Sequence, residues 1–157
     1  MWEAFHSLPE ESRERLSAVV LGRSSIKYSD SSKRDFTFPG FAEDPRPYLE
    51  DADIGFVLSY NEASSFASRE MSAMSLPVIS SDFPNHAKNI DERCGWVVKR
   101  GDSDSVRETL LKILAMPPEE IDEMKRTARK KAEESFSLGK MLEETNKVYK
   151  TVMQENC

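Results

Sequence analysis

The sequence predicts an α/β fold in which a doubly wound parallel sheet is followed by extra C-terminal helices. Five short apolar runs alternate with helical patterns, as expected for parallel strands that are covered on both faces. These candidate strands span residues 18–21, 36–38, 53–58, 77–80 and 95–98. At 157 residues the chain fits one domain, and residues 102–157 form its C-terminal helical part.

Helical spacing predicts the elements that separate the strands. Helical patterns occur over residues 10–16, 47–50 and 65–74, and another begins near Phe83 and Pro84. Each follows a strand candidate or opens the chain, so strands and helices alternate along the sequence. This alternation favours parallel pairing, because a parallel strand needs a crossover connection.

Three helices are expected after Gly101. Asp102 or Ser103 can cap the first, which ends before Pro117. Pro118 opens the second, where a proline is tolerated in the first turn. Residues 137–139 (Ser-Leu-Gly) are expected to break it, and Met141, Val148 and Val152 mark the third helix.

Composition and charge exclude several classes of function. Apolar residues make up 38% of the chain and charged residues 32%, with a formal net charge of −6. A nucleic-acid role is not expected, because phosphate contacts need clustered cations. The basic cluster 125–131 lies among glutamates on a predicted helix. We interpret it as a solvated, salt-bridged face, with contact to an anionic membrane as the alternative.

The cysteine count and the chain's N-terminal residues bear on its location. Cys94 and Cys157 form neither a disulfide framework nor a metal site, which indicates a reducing compartment. The first residues lack the pattern of a signal peptide, and no apolar run is long enough to span a membrane. We therefore expect a cytoplasmic protein, with the inner face of the membrane as the alternative for a full-length form.

Two glutamates are the most informative feature of the sequence. Glu62 and Glu70 are separated by seven residues and lie between the apolar runs 54–58 and 76–79. In a strand, loop, helix, strand order, Glu62 falls in the loop at the strand's carboxyl end. Glu70 falls about two turns later on the helix. Both carboxylates are therefore expected to face one crevice and one ligand.

The residues around this pair resemble the donor-binding, C-terminal domain of retaining GT-B glycosyltransferases of the "glycosyl transferases group 1" type. That group includes sucrose synthase, glycogen synthase and bacterial polysaccharide glycosyltransferases. The matching positions are Ala52-Asp-Ile54, Ser59, Glu62, Glu70-Met-Ser-Ala-Met74 and Pro77-Val-Ile79, with Gly95-Trp-Val-Val98 downstream. The resemblance implies a Rossmann-like domain that is one half of a GT-B fold.

The resemblance also implies roles for the two acids. Glu70 would accept hydrogen bonds from the ribose hydroxyls of the nucleotide, and its inward turn is suggested by Met71, Ala73 and Met74. Glu62 would be the catalytic residue that approaches the hydroxyls of the transferred sugar, where its carboxylate could stabilise positive charge developing at the anomeric carbon. The alternatives are a surface glutamate paired with Arg69 or Lys88 for Glu70, and a solvated loop acid for Glu62.

Further donor-binding residues follow from the same resemblance. A helix N-terminus can bind a diphosphate through its free amides, and Asn61, Ser64, Ser65 and Phe66 lie where the Glu70 helix begins. For either serine, a plain N-cap is an equal alternative. Residues 39–41 (Pro39, Gly40 and Phe41) resemble the loop that holds the nucleotide base, where Gly40 allows a positive φ angle. A plain Pro-Gly turn is the alternative there.

Cofactors and metals are not expected, and the resemblance implies a nucleotide-diphospho-sugar as the co-substrate. No metal-holding Asp-x-Asp follows a strand, because Asp51 and Asp53 precede theirs. His86 has no partner that would make it a base. The first strand and the Arg and Lys phosphate clamp of the family have no match, so the domain is expected to be truncated at its N-terminal edge.

The resemblance implies half of an enzyme. The parent reaction transfers a hexose from a nucleotide-diphospho-sugar to a sugar or lipid-linked acceptor with retention of configuration, in polysaccharide or glycoconjugate biosynthesis. The acceptor-binding N-terminal domain is the expected partner, and these 157 residues alone are expected to be inactive. Peripheral membrane association is a further expectation for the full-length enzyme.

Two alternatives from other classes stay open. A non-catalytic receiver-like module would need an acid at the end of a central strand, where Ser59-Tyr60 and Ser80-Ser81 stand. Sugar-nucleotide epimerases and phosphorylases share the GT-B architecture. An epimerase would have acids and histidines at other positions than this chain does. A phosphorylase would have a lysine that binds pyridoxal.

Overall fold

The computed structural model describes residues 1–22, 35–62, 65–83 and 90–155. The helices are α1 Trp2–His6, α2 Glu10–Arg13, α3 Arg46–Glu50, α4 Phe66–Ala73, α5 Ser103–Leu114, α6 Pro118–Ser135 and α7 Leu138–Glu155. The strands are β1 Ala18–Leu21, β2 Phe36–Gly40, β3 Gly55–Val57, β4 Val78–Ser81 and β5 Gly95–Val98. This order confirms the predicted alternation of strands and helices from β2 to β4, and it confirms the all-helical C-terminal part.

All described strand pairs are parallel, which confirms the predicted fold class. β1 pairs with β2, and β3, β4 and β5 form a second sheet with β4 in the centre. Within the described residues the ladder hydrogen bonds thus divide into a two-stranded and a three-stranded sheet, whereas one sheet was expected. β3 is only three residues long, shorter than the predicted run 53–58.

One hydrophobic core joins the two sheets. It contains Phe36 of β2, Ile79 of β4 and Val98 of β5, and it extends to α1 and α5. β4 is the central strand of the three-stranded sheet, and its four residues are all buried. A central strand buried on both faces explains why its sequence shows no polar and apolar alternation.

Capping residues determine where the C-terminal helices begin. The Asp102 carboxylate accepts hydrogen bonds from the amides of Asp104 and Ser105, so it caps α5 as predicted. Pro118 is the first residue of α6, as expected for a residue that has no amide hydrogen. The predicted break at 137–139 is narrower in the structure, because Gly139 lies inside α7.

Two other predicted helices differ from the structure. α2 ends at Arg13, three residues earlier than the predicted segment 10–16, and Leu16 is the partly buried residue that leads into β1. The helix expected to begin near Phe83 and Pro84 falls on residues 84–89, which lie outside the described residues.

α6 packs on the rest of the domain through a narrow apolar stripe and a set of ion pairs. Met124, Ala128 and Ala132 are buried, and the helix contacts α4. Its cations pair with acids on the same helix or on neighbouring segments: Lys125 with Asp53, Arg126 with Glu123, Arg129 with Glu133, Lys130 with Glu134 and Lys131 with Asp91. The cluster 125–131 is therefore a salt-bridged face, as interpreted from the sequence.

Candidate functional site

The candidate site lies at the carboxyl edge of the three-stranded sheet. Val57 of β3 is paired with Ser80 of β4, and Ser81 of β4 with Val98 of β5. Because the strands are parallel and in this register, their carboxyl ends meet at one edge. In parallel α/β sheets this edge is where ligands bind. The loops that leave it contain Glu62, Asp82 and Arg100.

Glu62 lies in the loop between β3 and α4, as predicted. Glu62 is half-buried and follows the last β3 residue, Val57, by five positions. Three residues later, Ser65 is buried and is the N-cap residue of α4. A loop this short, anchored at both ends, keeps the Glu62 backbone near the carboxyl edge.

The N-terminus of α4 is capped by a buried serine. The Ser65 hydroxyl accepts from the amide of Ser68 at 3.2 Å, and the Ser68 hydroxyl donates to the Ser65 carbonyl at 2.9 Å. Ser65 therefore serves as the N-cap, one of the two roles that its sequence position allowed. Helix geometry leaves the first-turn amides of Phe66 and Ala67 without intrahelical acceptors. Ser64 lies outside the described residues.

Glu70 lies on the exposed side of α4, so the predicted inward turn is wrong. The buried positions of the helix are Ser65, Ser68 and Ser72, and Glu70 lies about 200° around the helix from Ser68. The Glu70 side chain is exposed. A carboxylate turned towards the sheet would be out of reach of a ligand, whereas this one is open to solvent about 7.5 Å along the helix from Ser65.

Exposed aromatic side chains flank these acids. Phe66, the first residue of α4, is 70% exposed, and the guanidinium of Arg69 lies 5.6 Å from the centre of its ring. Tyr60, two residues before Glu62, is 75% exposed. The sequence prediction included Phe66 and omitted Tyr60. Flat aromatic faces at a crevice can stack against a ligand ring.

The predicted base-binding segment, residues 39–41, lies at the carboxyl end of β2 in the two-stranded sheet. Pro39 and Gly40 are the last residues of β2, and Phe41 follows with 67% of its surface exposed. Gly40 has a φ angle of +85°, which confirms the expected positive φ, and its carbonyl accepts from the Gly22 amide at 2.8 Å. The segment is therefore a strand end paired with β1, and its base-binding role stays a prediction.

Arg100 is a residue of this edge that the sequence prediction missed. It follows β5, and its Nη1 donates to the Tyr60 carbonyl at 3.1 Å. Its Nε and its backbone amide both donate to Asp82 Oδ1, at 3.1 and 2.9 Å. These hydrogen bonds hold the pKa of the Asp82 carboxyl below its usual value, and the one from the Arg100 backbone amide has the largest effect. Arg100 thus joins the loops after β3, β4 and β5.

The described residues contain neither a metal-binding cluster nor a membrane-spanning helix. No group of three His, Cys, Asp or Glu side chains in these residues could hold a metal ion. In the same part of the chain, no helix combines the length and the apolar character needed to cross a bilayer. Asp53 pairs with Lys125 at 3.0 Å on the amino side of β3, away from the candidate site, as predicted.

The sequence profile of one family matches most of the chain. The profile is described as "Glycosyl transferases group 1" and matches residues 1–116, which include both glutamates and all five strands. The chain belongs to the group 1 glycosyl transferases. The family resemblance of the residues around Glu62 and Glu70 is therefore confirmed. No curated protein sequence matches the chain significantly.

Several solved structures share the fold of this chain. Anabaena HepE in complex with UDP-glucose has a TM-score of 0.77 at 13% identity, over 95% of this chain and 43% of that one. Sucrose-phosphate synthase from Thermosynechococcus elongatus has a TM-score of 0.71 at 21% identity, over 87% and 38%. WaaG, a glycosyltransferase involved in lipopolysaccharide biosynthesis, has a TM-score of 0.71 at 24% identity, over 83% and 37%. The chain thus spans less than half of each of these structures.

Proposed function

We propose that this chain is the donor-binding domain of a retaining glycosyltransferase. The parent enzyme would transfer a hexose from a nucleotide-diphospho-sugar to a sugar or lipid-linked acceptor, in polysaccharide or glycoconjugate biosynthesis. The observation that carries the proposal is the placement of Glu62 in the loop at the carboxyl edge and of Glu70 on the exposed side of α4. The fold shared with HepE, which was solved with UDP-glucose, supports it.

Glu70 is the proposed ligand of the nucleotide ribose. A carboxylate presents two acceptor oxygens, and an ionised acceptor makes stronger hydrogen bonds than a neutral one. Its exposed position on the second turn of α4 leaves both oxygens accessible. The N-terminus of the same helix has a partial positive charge, which favours a diphosphate beside it without a metal ion.

Glu62 is the proposed catalytic residue, which contacts the transferred hexose. It is half-buried, so a closed site around it would be partly shielded from water. In such surroundings a fixed negative charge stabilises positive charge at the anomeric carbon more strongly than in water. Asn61 and the amide of Phe66 lie on either side of Glu62 along the chain and are proposed donor contacts.

The base of the nucleotide is proposed to lie on the 39–41 segment. Gly40 has no side chain and has a left-handed backbone, so a flat ring can approach this segment closely. Phe41 supplies an exposed aromatic face next to it. The proposed partner is an N-terminal acceptor-binding domain, because a GT-B site lies between two domains and the chain spans 43% of HepE.

Calorimetry with UDP and UDP-glucose tests this division of roles. Glu70→Ala should weaken UDP binding by roughly 1.5–3 kcal/mol, the range for a hydrogen bond to a charged group. Glu62→Ala should leave UDP binding unchanged and remove the extra affinity for UDP-glucose. The matched control is Glu108→Ala, an exposed helical glutamate on α5, which should change neither. Equal losses for UDP and UDP-glucose in the Glu62 variant would contradict the assignment.

A further inference from the structure

We propose that Arg100 is a positioning residue, which holds the loop that contains Glu62 in its binding geometry. Its guanidinium and its backbone amide connect the loops after the three neighbouring strands β3, β4 and β5. The inference rests on the proposed function, because it assigns Arg100 an effect on the sugar contact of Glu62. It extends that function by a residue that belongs neither to the glutamate pair nor to its flanking motif.

The three hydrogen bonds fix Tyr60 relative to the sheet. Strands β3 and β5 are two ladder spacings apart, roughly 9–10 Å, and the long arginine side chain covers this distance. Asp82 Oδ1 receives both the Nε and the backbone amide of Arg100, so this carboxylate orients the guanidinium. The guanidinium then presents Nη1 to the Tyr60 carbonyl. A planar fork with fixed donor directions suits two such acceptors.

Gly101 supports Tyr60 from a second direction. The Tyr60 ring lies so close to Gly101 that a Cβ there would be 2.9 Å from its hydroxyl oxygen. Gly101 also has a φ angle of +69°, which glycine adopts without strain. Tyr60 is thus held through its carbonyl by Arg100 and through its ring by Gly101.

The loop that contains Glu62 is therefore anchored on both sides. Tyr60 is held two residues before Glu62, and the buried cap Ser65 is held three residues after it. Loss of the first anchor lets the Glu62 backbone sample other positions. Glu70 and the α4 N-terminus do not depend on this anchor, since Ser65 and the packing of α4 against β3 and β4 hold them.

Stability is not the main consequence of these contacts. The Arg100 and Asp82 side chains are 43% and 44% exposed, so solvent screens their ion pair and it contributes little to folding stability. These contacts act by fixing the position of the loop that contains Glu62, because a binding group misplaced by about 1 Å loses much of its effect. A positioning residue should therefore change sugar recognition more than it changes folding.

The test combines NMR with calorimetry on the whole chain. In Arg100→Ala, the amide resonances of Asn61 and Glu62 should shift and their heteronuclear NOE values should fall. UDP affinity should stay unchanged, and UDP-glucose affinity should fall about three- to tenfold, the range expected for one net hydrogen bond. Arg100→Lys should show the same loss, because one ammonium cannot reproduce the planar fork.

The matched control is Arg93→Ala. Arg93 forms a similar local pair with Asp91, with its Nε 3.2 Å from Oδ1, but it precedes β5 and so lies at the opposite edge of the sheet. Its loss should leave the Asn61 and Glu62 resonances and both affinities unchanged. Asp82→Ala should reproduce the Arg100→Ala effects, and the double variant should add little to either.

Three results would overturn the proposal. An equal loss of UDP and UDP-glucose affinity in Arg100→Ala would make Arg100 a direct phosphate contact. Wild-type behaviour of Arg100→Lys would show that charge alone matters. Unchanged loop resonances in Arg100→Ala would show that the loop does not need it. If the wild-type chain binds neither ligand, the proposed function fails, while the loop resonances still decide the positioning role.

Discussion

Helices α6 and α7 have equal length and opposite environments. Both contain 18 residues with apolar side chains at helical spacing. In α6, Met124, Ala128 and Ala132 are buried against the domain. In α7, the large apolar side chains are at least half exposed: Leu138, Met141, Leu142, Val148, Tyr149, Val152 and Met153. Periodicity therefore predicts that a helix has an apolar face, and says nothing about what covers that face.

The difference follows from side-chain size and from connections to other segments. Two of the three buried α6 residues are alanines, so the helix can approach α4 closely. Its cations also reach other elements: Lys125 pairs with Asp53, Lys131 pairs with Asp91, and Arg129 donates to the Ala73 carbonyl. In α7, Lys140 and Lys147 pair with Glu143 and Glu144 on the same helix. These pairs support a helix without attaching it to the domain.

The largest expected effect separates two methionines. Met124→Ala on α6 should lower the free energy of unfolding by about 2–5 kcal/mol, because it removes a buried side chain and leaves a cavity. Met153→Ala on α7, where the residue is 70% exposed, should change it by less than about 0.5 kcal/mol. Urea denaturation measures both. Equal losses would show that α7 packs as α6 does, and the comparison would fail.

A smaller effect is expected at Ser75, where α4 ends beside α6. The Leu76 amide donates to the Met71 carbonyl and the Ser75 amide to that of Ser72, a pattern that usually has glycine in the place of Ser75. Ser75 has a φ angle of +65°. Ser75→Gly should raise the free energy of unfolding by about 0.5–1 kcal/mol, because the strain of a left-handed residue exceeds the entropy cost of glycine.

Ser75→Ala is the control for that substitution. Alanine keeps the Cβ atom that makes the left-handed conformation unfavourable, so it should bring no gain. Thermal and urea unfolding of the two variants give the comparison. A gain from alanine equal to that from glycine would show that the serine hydroxyl, and not the backbone, is the source of strain.

The smallest effect concerns the ion pair that joins α6 to the segment before β5. Arg93 and, after it, Lys131 hold the pKa of the Asp91 carboxyl well below its usual value. A depressed folded-state pKa means that this stabilisation is present above the unfolded pKa of about 3.9 and is lost as pH falls towards the folded value. Asp91→Asn should lower the free energy of unfolding by about 0.2–1 kcal/mol at pH 7. This difference from the wild type should shrink as the pH falls below about 4.

Glu144→Gln is the matched variant on α7. Glu144 pairs with Lys140 and Lys147 of its own helix, so its loss should leave global unfolding almost unchanged at pH 7. Chemical denaturation between pH 7 and pH 2.5 measures both variants. If the difference in unfolding free energy between Asp91→Asn and the wild type stayed constant across this range, it would contradict the assigned role of the Asp91 carboxylate.

The sequence predicted local features better than the orientation of side chains. The bounds of β1 and β5 match the structure, because short β-branched runs between turn residues leave little ambiguity. The positive φ of Gly40 and the Asp102 cap were also predicted, since each depends on neighbouring residues only. The neighbours Met71, Ala73 and Met74 suggest an inward turn for Glu70. The structure buries three serines instead.

Arg100 could not be found from local sequence. Its partners, Tyr60 and Asp82, are 40 and 18 residues away, and they meet only when three strands pair in parallel. Its own surroundings, Lys99 and Gly101, indicate no more than a charged turn. A residue whose role depends on tertiary pairing leaves no periodic or motif signal in a single sequence.

The central claim is that the carboxyl edge around Glu62 and Glu70 binds a nucleotide-sugar without a metal ion. An NMR titration with UDP-glucose, first with EDTA and then with Mg²⁺ or Mn²⁺, tests it most directly. We expect millimolar affinity and shifts at Asn61, Glu62, the 65–70 segment and Gly40-Phe41 in EDTA, with no further shifts when metal is added. Shifts that require metal, or shifts located elsewhere in the chain, would contradict the account.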